Sequence, residues 1–235
     1  MAALHVPMKA REQPTQIRVA IVDDHTMMRE GLRLFLESHA EMCCAWTAVN
    51  AADAVRHVDE DTPDVLVVDI SLPDRSGLEL IKDLRLLRPK MAMLALSMHD
   101  ERMYAQRVLK AGARGYLMKN VPQKTLEQAL RRVAAGGIAV SEEMSEEILK
   151  AFSSGAPSQS QDRVSDLSDR EFEVFMLIGQ GKNTAQIAEA LKISTKTVDV
   201  HKMNIRMKLG MNDPAELAYF AIRWTEGQEK RGASS

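Results

Sequence analysis

Five polar side chains stand where short apolar runs end. Asp23 and Asp24 follow Ile17 to Val22, Asp69 follows Val65 to Val68, Ser97 follows Met91 to Leu96, and Lys119 follows Gly115 to Met118. Three carboxylates drawn together repel one another and need a cation; a hard divalent ion suits their oxygens, and the ammonium of Lys119 adds a further positive charge. Such a set matches phosphoryl chemistry. A carboxylate beside Mg2+ can attack a phosphorus whose oxygens the metal and the lysine neutralise, giving an acyl phosphate. Asp69 is the best nucleophile because it stands alone at the end of the most apolar run, with Asp23 and Asp24 as metal binders. The competing reading is that acids at strand ends are only helix caps or solvated loop residues. It serves any one of them as well, but serves five at successive strand ends poorly.

Positioning such a set requires strands whose ends meet. Ile17 to Val22 is a continuous branched-apolar run, after which Met28, Gly31, Leu32 and Phe35 recur at helical spacing. The cycle returns with a strand near Cys43 to Trp46 and a helix from Asn50 to about Asp59. It repeats in Val65 to Val68 with Leu78 to Arg88, which stops at Pro89. Met91 to Leu96 leads to a helix capped by Asp100 and ended by Gly112, and Gly115 to Met118 leads to one opened by Pro122. Five βα units make a doubly wound, five-stranded parallel sheet, and functional groups gather at the carboxyl ends of such strands. This first domain is expected over 17–140.

The chain has 235 residues, 45% hydrophobic and 27% charged, which favours two modules and excludes a disordered or collagenous chain. A net charge of −2 excludes a globally basic nucleic-acid coat but says nothing of a local stripe. No apolar run is long enough for a membrane span, and residues 1–16 read as a flexible leader without the apolar stretch of a secretion signal. A cytoplasmic protein is the expectation. The two cysteines, Cys43 and Cys44, are adjacent and offer neither a disulfide framework nor a zinc site; buried strand positions are expected for both. Residues 141–152 read as a linker helix and 153–165 as a flexible linker.

Beyond the linker the strand signals disappear. A smaller all-α domain is expected over 166–227, with 228–235 as a disordered tail. Ser168 and Glu171 form a capping box before the first helix, and further helices run from about Asn183 to Leu191, Thr195 to Leu209 and Pro214 to Trp224. The two central helices fit a helix-turn-helix. Counting 100° per residue puts Val198, Ile205 and Leu209 on one buried sector; Asp199, Met203 and Arg206 point outward, flanked by Val200 and Met207. Between Lys192 and Lys208, five cations face one carboxylate, a local charge of +4. Cations and free helix-start N–H groups can hold DNA phosphates, while Asp199, Val200 and Met203 could read base edges. An ordinary solvated basic face on a helical bundle is the alternative.

Resemblance makes both halves specific. The strings VAIVDDH, DVLVVDISLPDRSG, LALS and GYLMK resemble the CheY-like receiver domain of bacterial response regulators. That likeness implies phosphorylation of Asp69 by a sensor histidine kinase and Mg2+ bound by Asp24 and the backbone carbonyl of Ser71, with Asp23 acting partly through water. It implies too that Ser97 and Lys119 contact the phosphoryl group and that Tyr116 is the switch aromatic. One departure is Asn120, where many receivers place a proline; here the proline is Pro122. The string LSDREFEVFMLIGQGKNTAQIAEALKISTKTVDVHKMNIRMKLG resembles the LuxR-type DNA-binding domain of the NarL/FixJ regulators. It implies base reading at Asp199, Val200 and Met203, in agreement with the angular count, although lysine or arginine is frequent at the first and third of these positions. It implies phosphate contacts at Lys182, Asn183, Thr184, Lys196, Thr197 and Lys202, beside Arg206 on the outward face. The last helix, with Leu217, Phe220, Ala221 and Trp224 at helical spacing, would serve dimerisation in that family; packing onto its own bundle is the other reading.

The expected protein is therefore a two-component response regulator and not an enzyme. Its partners would be a sensor histidine kinase, double-stranded promoter DNA, RNA polymerase and, when active, a second copy, with no membrane. A phosphorylation-independent DNA-binding regulator and a protein-interaction module are alternatives. An aspartate-nucleophile phosphatase is disfavoured, because haloacid-dehalogenase-like enzymes usually carry a second aspartate where Ser71 stands.

Overall fold

Apolar segments sandwiched between two helical layers need no polar face. The computed structural model, which describes residues 16–146, 149 and 163–232, turns five of them into parallel strands. They are β1 (Ile17–Val22), β2 (Met42–Ala48), β3 (Val65–Asp69), β4 (Ala92–Ser97) and β5 (Gly115–Met118), in the spatial order β2-β1-β3-β4-β5. Helices α1 (Thr26–Glu37), α2 (Ala51–Glu60), α3 (Gly77–Leu87), α4 (Glu101–Ala111) and α5 (Gln123–Ala134) follow the strands in turn. The chain order reverses between β1 and β3, so Asp23 and Asp69 leave neighbouring strands at the topological switch point.

Strand alternation divides the core in two. Val19, Ile21, Val65, Val67 and Leu94 pack with Leu32, Phe35 and Leu36 of α1 and Leu126, Leu130 and Val133 of α5. Ala20, Val22, Leu66, Val68, Ala95 and Tyr116 face Val58 of α2, Leu80, Ile81 and Leu84 of α3, and Ala105 and Val108 of α4. Each fully buried aliphatic side chain contributes roughly 1.5–3 kcal/mol, enough to fix which face each strand presents. Local signals agree: Asn50 caps α2 through Asp53 N–H, Asp100 caps α4 through Arg102 N–H, and α4 ends at left-handed Gly112. Cys43 and Cys44 are half-buried instead of buried, because β2 is an edge strand.

The C-terminal helices are α6 (Asp169–Gly179), α7 (Thr184–Ala190), α8 (Thr195–Leu209) and α9 (Pro214–Gly232). Ser168 and Glu171 form the capping box of α6, and Asn183 and Gln186 form another on α7. Val198, Ile205 and Leu209 are the buried residues of α8, as the angular count requires. Two boundaries differ from expectation. Residues 163–165 form a helical turn with Val164 buried, since Val164 has a core to enter; and α9 continues through Gly232, because the segment after Trp224 is rich in straight-chain helix formers. The 1–15 part of the expected leader, most of the linker helix beyond 146, the linker through 162 and the end of the tail lie outside the described residues. Among the described residues, no helix is long and apolar enough to cross a membrane.

The two domains share one core. Tyr104 of α4 meets Phe172 of α6 edge-on at 5.2 Å between ring centres, and Phe172 in turn meets Trp224 of α9 at 6.1 Å. Arg107 stacks its guanidinium 4.0 Å over Phe172 and donates to the carbonyls of Leu167, at 2.9 Å, and Val164. Lys82 of α3 pairs with Asp169 at 2.7 Å.

Candidate functional site

At the switch point Lys119 Nζ lies 2.7 Å from Asp69 Oδ2 and 2.8 Å from Asp23 Oδ2, with all three side chains buried. Burial pushes the carboxyl of Asp69 up, and the Lys119 ammonium opposes that without cancelling it. Burial also lowers the Lys119 ammonium, but Asp69 and Asp23 outweigh it and the ammonium is held above its ordinary value. Asp69 Oδ1 accepts from Ser71 N–H at 3.1 Å. Gly77 closes the floor of this loop: a Cβ there would stand 2.1 Å from the carbonyl oxygen of Asp69, so only glycine fits.

Oxygen ligands from Asp23, Asp24 and Asp69, with a ring nitrogen of His25, lie within 4.8 Å of one another. Asp24 Oδ1 is buried and has no hydrogen-bond partner, although His25 Nδ1 stands 2.9 Å away. A buried anionic oxygen that accepts no hydrogen bond, beside two more carboxylates, belongs to the oxygen-rich donor set of a hard divalent cation, so the residues fit a metal such as Mg2+. The other oxygen of Asp24 accepts from Lys192 Nζ at 2.7 Å. Burial raises the Asp24 carboxyl, and Lys192 and His25 more than offset it, leaving it below the usual carboxylate range.

Ser97 and Tyr116 sit beside this cluster. Ser97 is fully buried at the end of β4 and its Oγ accepts from His99 N–H at 3.1 Å. Tyr116, also fully buried, donates its hydroxyl to the carbonyl of His99 at 2.6 Å, and burial drives its phenol well up. His99 stacks on Tyr104 at 4.7 Å, and burial, with Lys182 and Lys119 adding to it, lowers its imidazole. The wall of the acidic pocket is thus continuous with the aromatic joint between the domains. A cavity of about 290 Å³ opens here, lined by Asp24, His25, Ser71 and His99 on one side and by Arg170, Glu173, Lys182 and Lys192 on the other.

The helix-turn-helix presents a separate face. Val200 and Met203 are 45% and 46% exposed, Asp199 and Lys196 are exposed, and Met207 is 65% exposed. Lys202 Nζ donates to Thr184 Oγ1 at 2.7 Å, tying α8 to the start of α7, and Asn183 caps α7. Thr197 is half-buried beside Ser194, and Arg206 donates to Asn212 O at 3.3 Å. Lys182, one of the expected phosphate contacts, lines the interdomain cavity.

The α9 expectation requires correction. Leu217 and Ala221 are 2% and 0% exposed, inside the bundle, and Phe220 and Trp224 are half-buried against Phe175 and Phe172. A four-residue stripe has to supply the bundle before it can supply an interface. The outward apolar residues of α9 are Tyr219 and Ile222. Sequence reasoning also missed His25, His99, Lys192 on Asp24, and the joint of Tyr104, Arg107 and Phe172. His25 was signalled by its place beside the aspartate pair; the others depend on domain packing that no local pattern encodes.

Two family models match this chain: the response regulator receiver domain over residues 19–131, and the bacterial regulatory proteins of the luxR family over residues 165–221. The oxygen regulatory protein NreC of Staphylococcus aureus (strain MRSA252) is 34% identical over 211 residues, covering 88% of this chain and 97% of NreC. A LuxR-family two-component response regulator from Aurantimonas sp. SI85-9A1 is 32% identical with a TM-score of 0.55, covering 59% of this chain and 99% of that one. RcsB from Salmonella enterica serovar Typhimurium, bound to a promoter in the presence of phosphomimetic BeF3-, is 25% identical with a TM-score of 0.58, covering 88% of this chain and 98% of that one.

Proposed function

Because the chain belongs to the response regulators that join a receiver to a LuxR-type DNA-binding domain, a family of transcription regulators and not of enzymes, we propose that Asp69 is its phosphoacceptor. The observation that carries this reading is Lys119 Nζ bridging Asp69 and Asp23 at 2.7 and 2.8 Å in a buried pocket at the switch point. An oxygen of Asp69 attacks the phosphorus of a kinase phosphohistidine, the P–N bond breaks, and the imidazole leaves with its electron pair. Asp23, Asp24 and the carbonyl of Ser71 would hold Mg2+, which when bound neutralises phosphoryl oxygens. Lys119 supplies a fixed ammonium to the same charge, and the loop at Gly77 holds the Asp69 backbone.

The new dianion accepts from the Ser97 hydroxyl and draws it inward. Tyr116, held by His99 O and packed beside Ser97, is the group that responds, and His99 and Tyr104 carry the change into the Phe172 joint. Release of the C-terminal domain frees Lys192 and Lys182 to join Lys196 and Arg206 on DNA phosphates, with Asp199, Val200 and Met203 set against base edges. Promoter binding by the RcsB relative supports DNA as the partner; RNA polymerase would be a further one. Action on promoter DNA assigns the protein to the cytoplasm. A second copy would meet α9 through Tyr219 and Ile222.

Labelling with acetyl phosphate and Mg2+ tests the assignment. The wild-type chain takes up one phosphoryl group and Asp69→Asn takes up none; persistent labelling of that variant moves the acceptor elsewhere. Turnover of phosphomonoesters would favour the phosphatase reading.

A further inference from the structure

Lys192 is the only non-glycine among the described residues in the left-handed region, with φ of 53°. It follows Leu191 at the end of α7, where Lys192 N–H reaches Glu189 O at 3.2 Å and Ile193 N–H reaches Ala188 O at 3.0 Å. Glycine closes a helix this way without cost, whereas a side chain strains it. The strained backbone is accompanied by a specific placement: the Lys192 ammonium reaches across the domain boundary to Asp24 Oδ2 at 2.7 Å. A strained conformation that sets a charge on a functional carboxylate points to function.

We propose that Lys192 is an internal counter-ion for the metal-binding carboxylate, so that a divalent cation at Asp24 and the seating of the DNA-binding domain on the receiver each weaken the other. The inference rests on the reading of the acidic pocket as a metal site. Asp24 presents one oxygen to Lys192 while its other oxygen, buried and accepting no hydrogen bond, faces the carboxylate cluster with the His25 imidazole 2.9 Å away. A divalent ion on that carboxylate would set two like charges against one another across it, and the ammonium, 54% exposed, is the one free to leave. Metal binding therefore loosens the seated domain, and seating weakens metal binding by the same factor. The released lysine also returns to the basic stretch that begins at the α7–α8 turn. Mg2+ and phosphorylation then act in the same direction on the joint.

Calorimetric titration of the full chain with Mg2+, with small-angle scattering before and after, tests the linkage. Lys192→Asn and Lys192→Gly both tolerate the left-handed backbone and remove the charge, and Lys192→Arg keeps it. The neutral variants are expected to bind Mg2+ at least about fivefold more tightly than wild type and to scatter as a more open chain before Mg2+ is added. Lys192→Arg is expected to behave as wild type, and wild type to open on adding Mg2+. Equal Mg2+ affinities in all four proteins, with acetyl phosphate still labelling them at Asp69, would overturn this inference alone. Failure of every protein both to bind Mg2+ and to be labelled would overturn the site reading and the inference with it.

Discussion

The carbonyl oxygen of Asp69 lies 2.1 Å from the point where a Cβ on Gly77 would sit, so the first residue of α3 forms the floor under the end of β3. Gly77→Ala is expected to push Asp69 away from Lys119, abolish labelling by acetyl phosphate, and destabilise the fold by about 1–3 kcal/mol. Gly31→Ala is the control: nothing lies within 4 Å of its Cβ, and helix propensity predicts a gain of roughly 0.5–1 kcal/mol with labelling intact. Thermal melts and labelling of the two variants check the pair.

Glu171 is pushed up by burial, but the hydrogen bond from Lys208 at 2.6 Å and the capping contacts at Ser168 hold its carboxyl below the usual range. In the acid window the unfolded chain binds the extra proton, so this interaction stabilises fully above the ordinary glutamate range and fades as pH falls through the lowered folded value. The fall in Tm between about pH 6 and about pH 3 is expected to be shallower for Glu171→Gln, with about 1–2 kcal/mol lost near neutrality. Equal slopes would remove Glu171 from the acid response.

Arg107 joins the domains through Leu167 O, Val164 O and the Phe172 ring. Arg107→Ala leaves those groups unpaired and should weaken seating by about 2–3 kcal/mol. An increased radius of gyration without phosphorylation is the expected reading; an unchanged one would assign the joint to its remaining contacts, the aromatic packing and the Lys82–Asp169 and Lys192–Asp24 pairs.

On the α8 face, Lys196→Ala and Arg206→Ala should each weaken binding to all DNA sequences and reduce the salt slope by about 1. Met203→Ala should instead alter which sequences are preferred, as selection from a random DNA pool would reveal. A change in preference from the cation variants would reverse these assignments.

The strand ends and their polar residues were legible because apolar runs, caps and breakers are local signals; Asp23, Asp69 and Lys119 converge where the parallel topology requires. The inward sector of α8 was legible for the same reason, since Val198, Ile205 and Leu209 obey helical spacing. What escaped was competition for a single face. Helical spacing marks Leu217 and Ala221 as apolar but cannot say whether their partner is α6 or another chain, and the α6 bundle takes them. Nor can any local pattern tie Lys192 to Asp24, which lies 168 residues away in the chain.

The aromatic joint sets a thermodynamic condition on activity. Opening the domains exposes Tyr104 and Phe172, both 1% exposed when seated, and wetting two large rings is unfavourable. An isolated monomer would spring shut once its phosphate hydrolysed, whereas a form that re-buries those rings against a neighbour or is held by nucleic acid would persist. On the proposed mechanism, the lifetime of the transcriptional response would be governed by whatever shelters the rings as much as by the chemistry of the acyl phosphate.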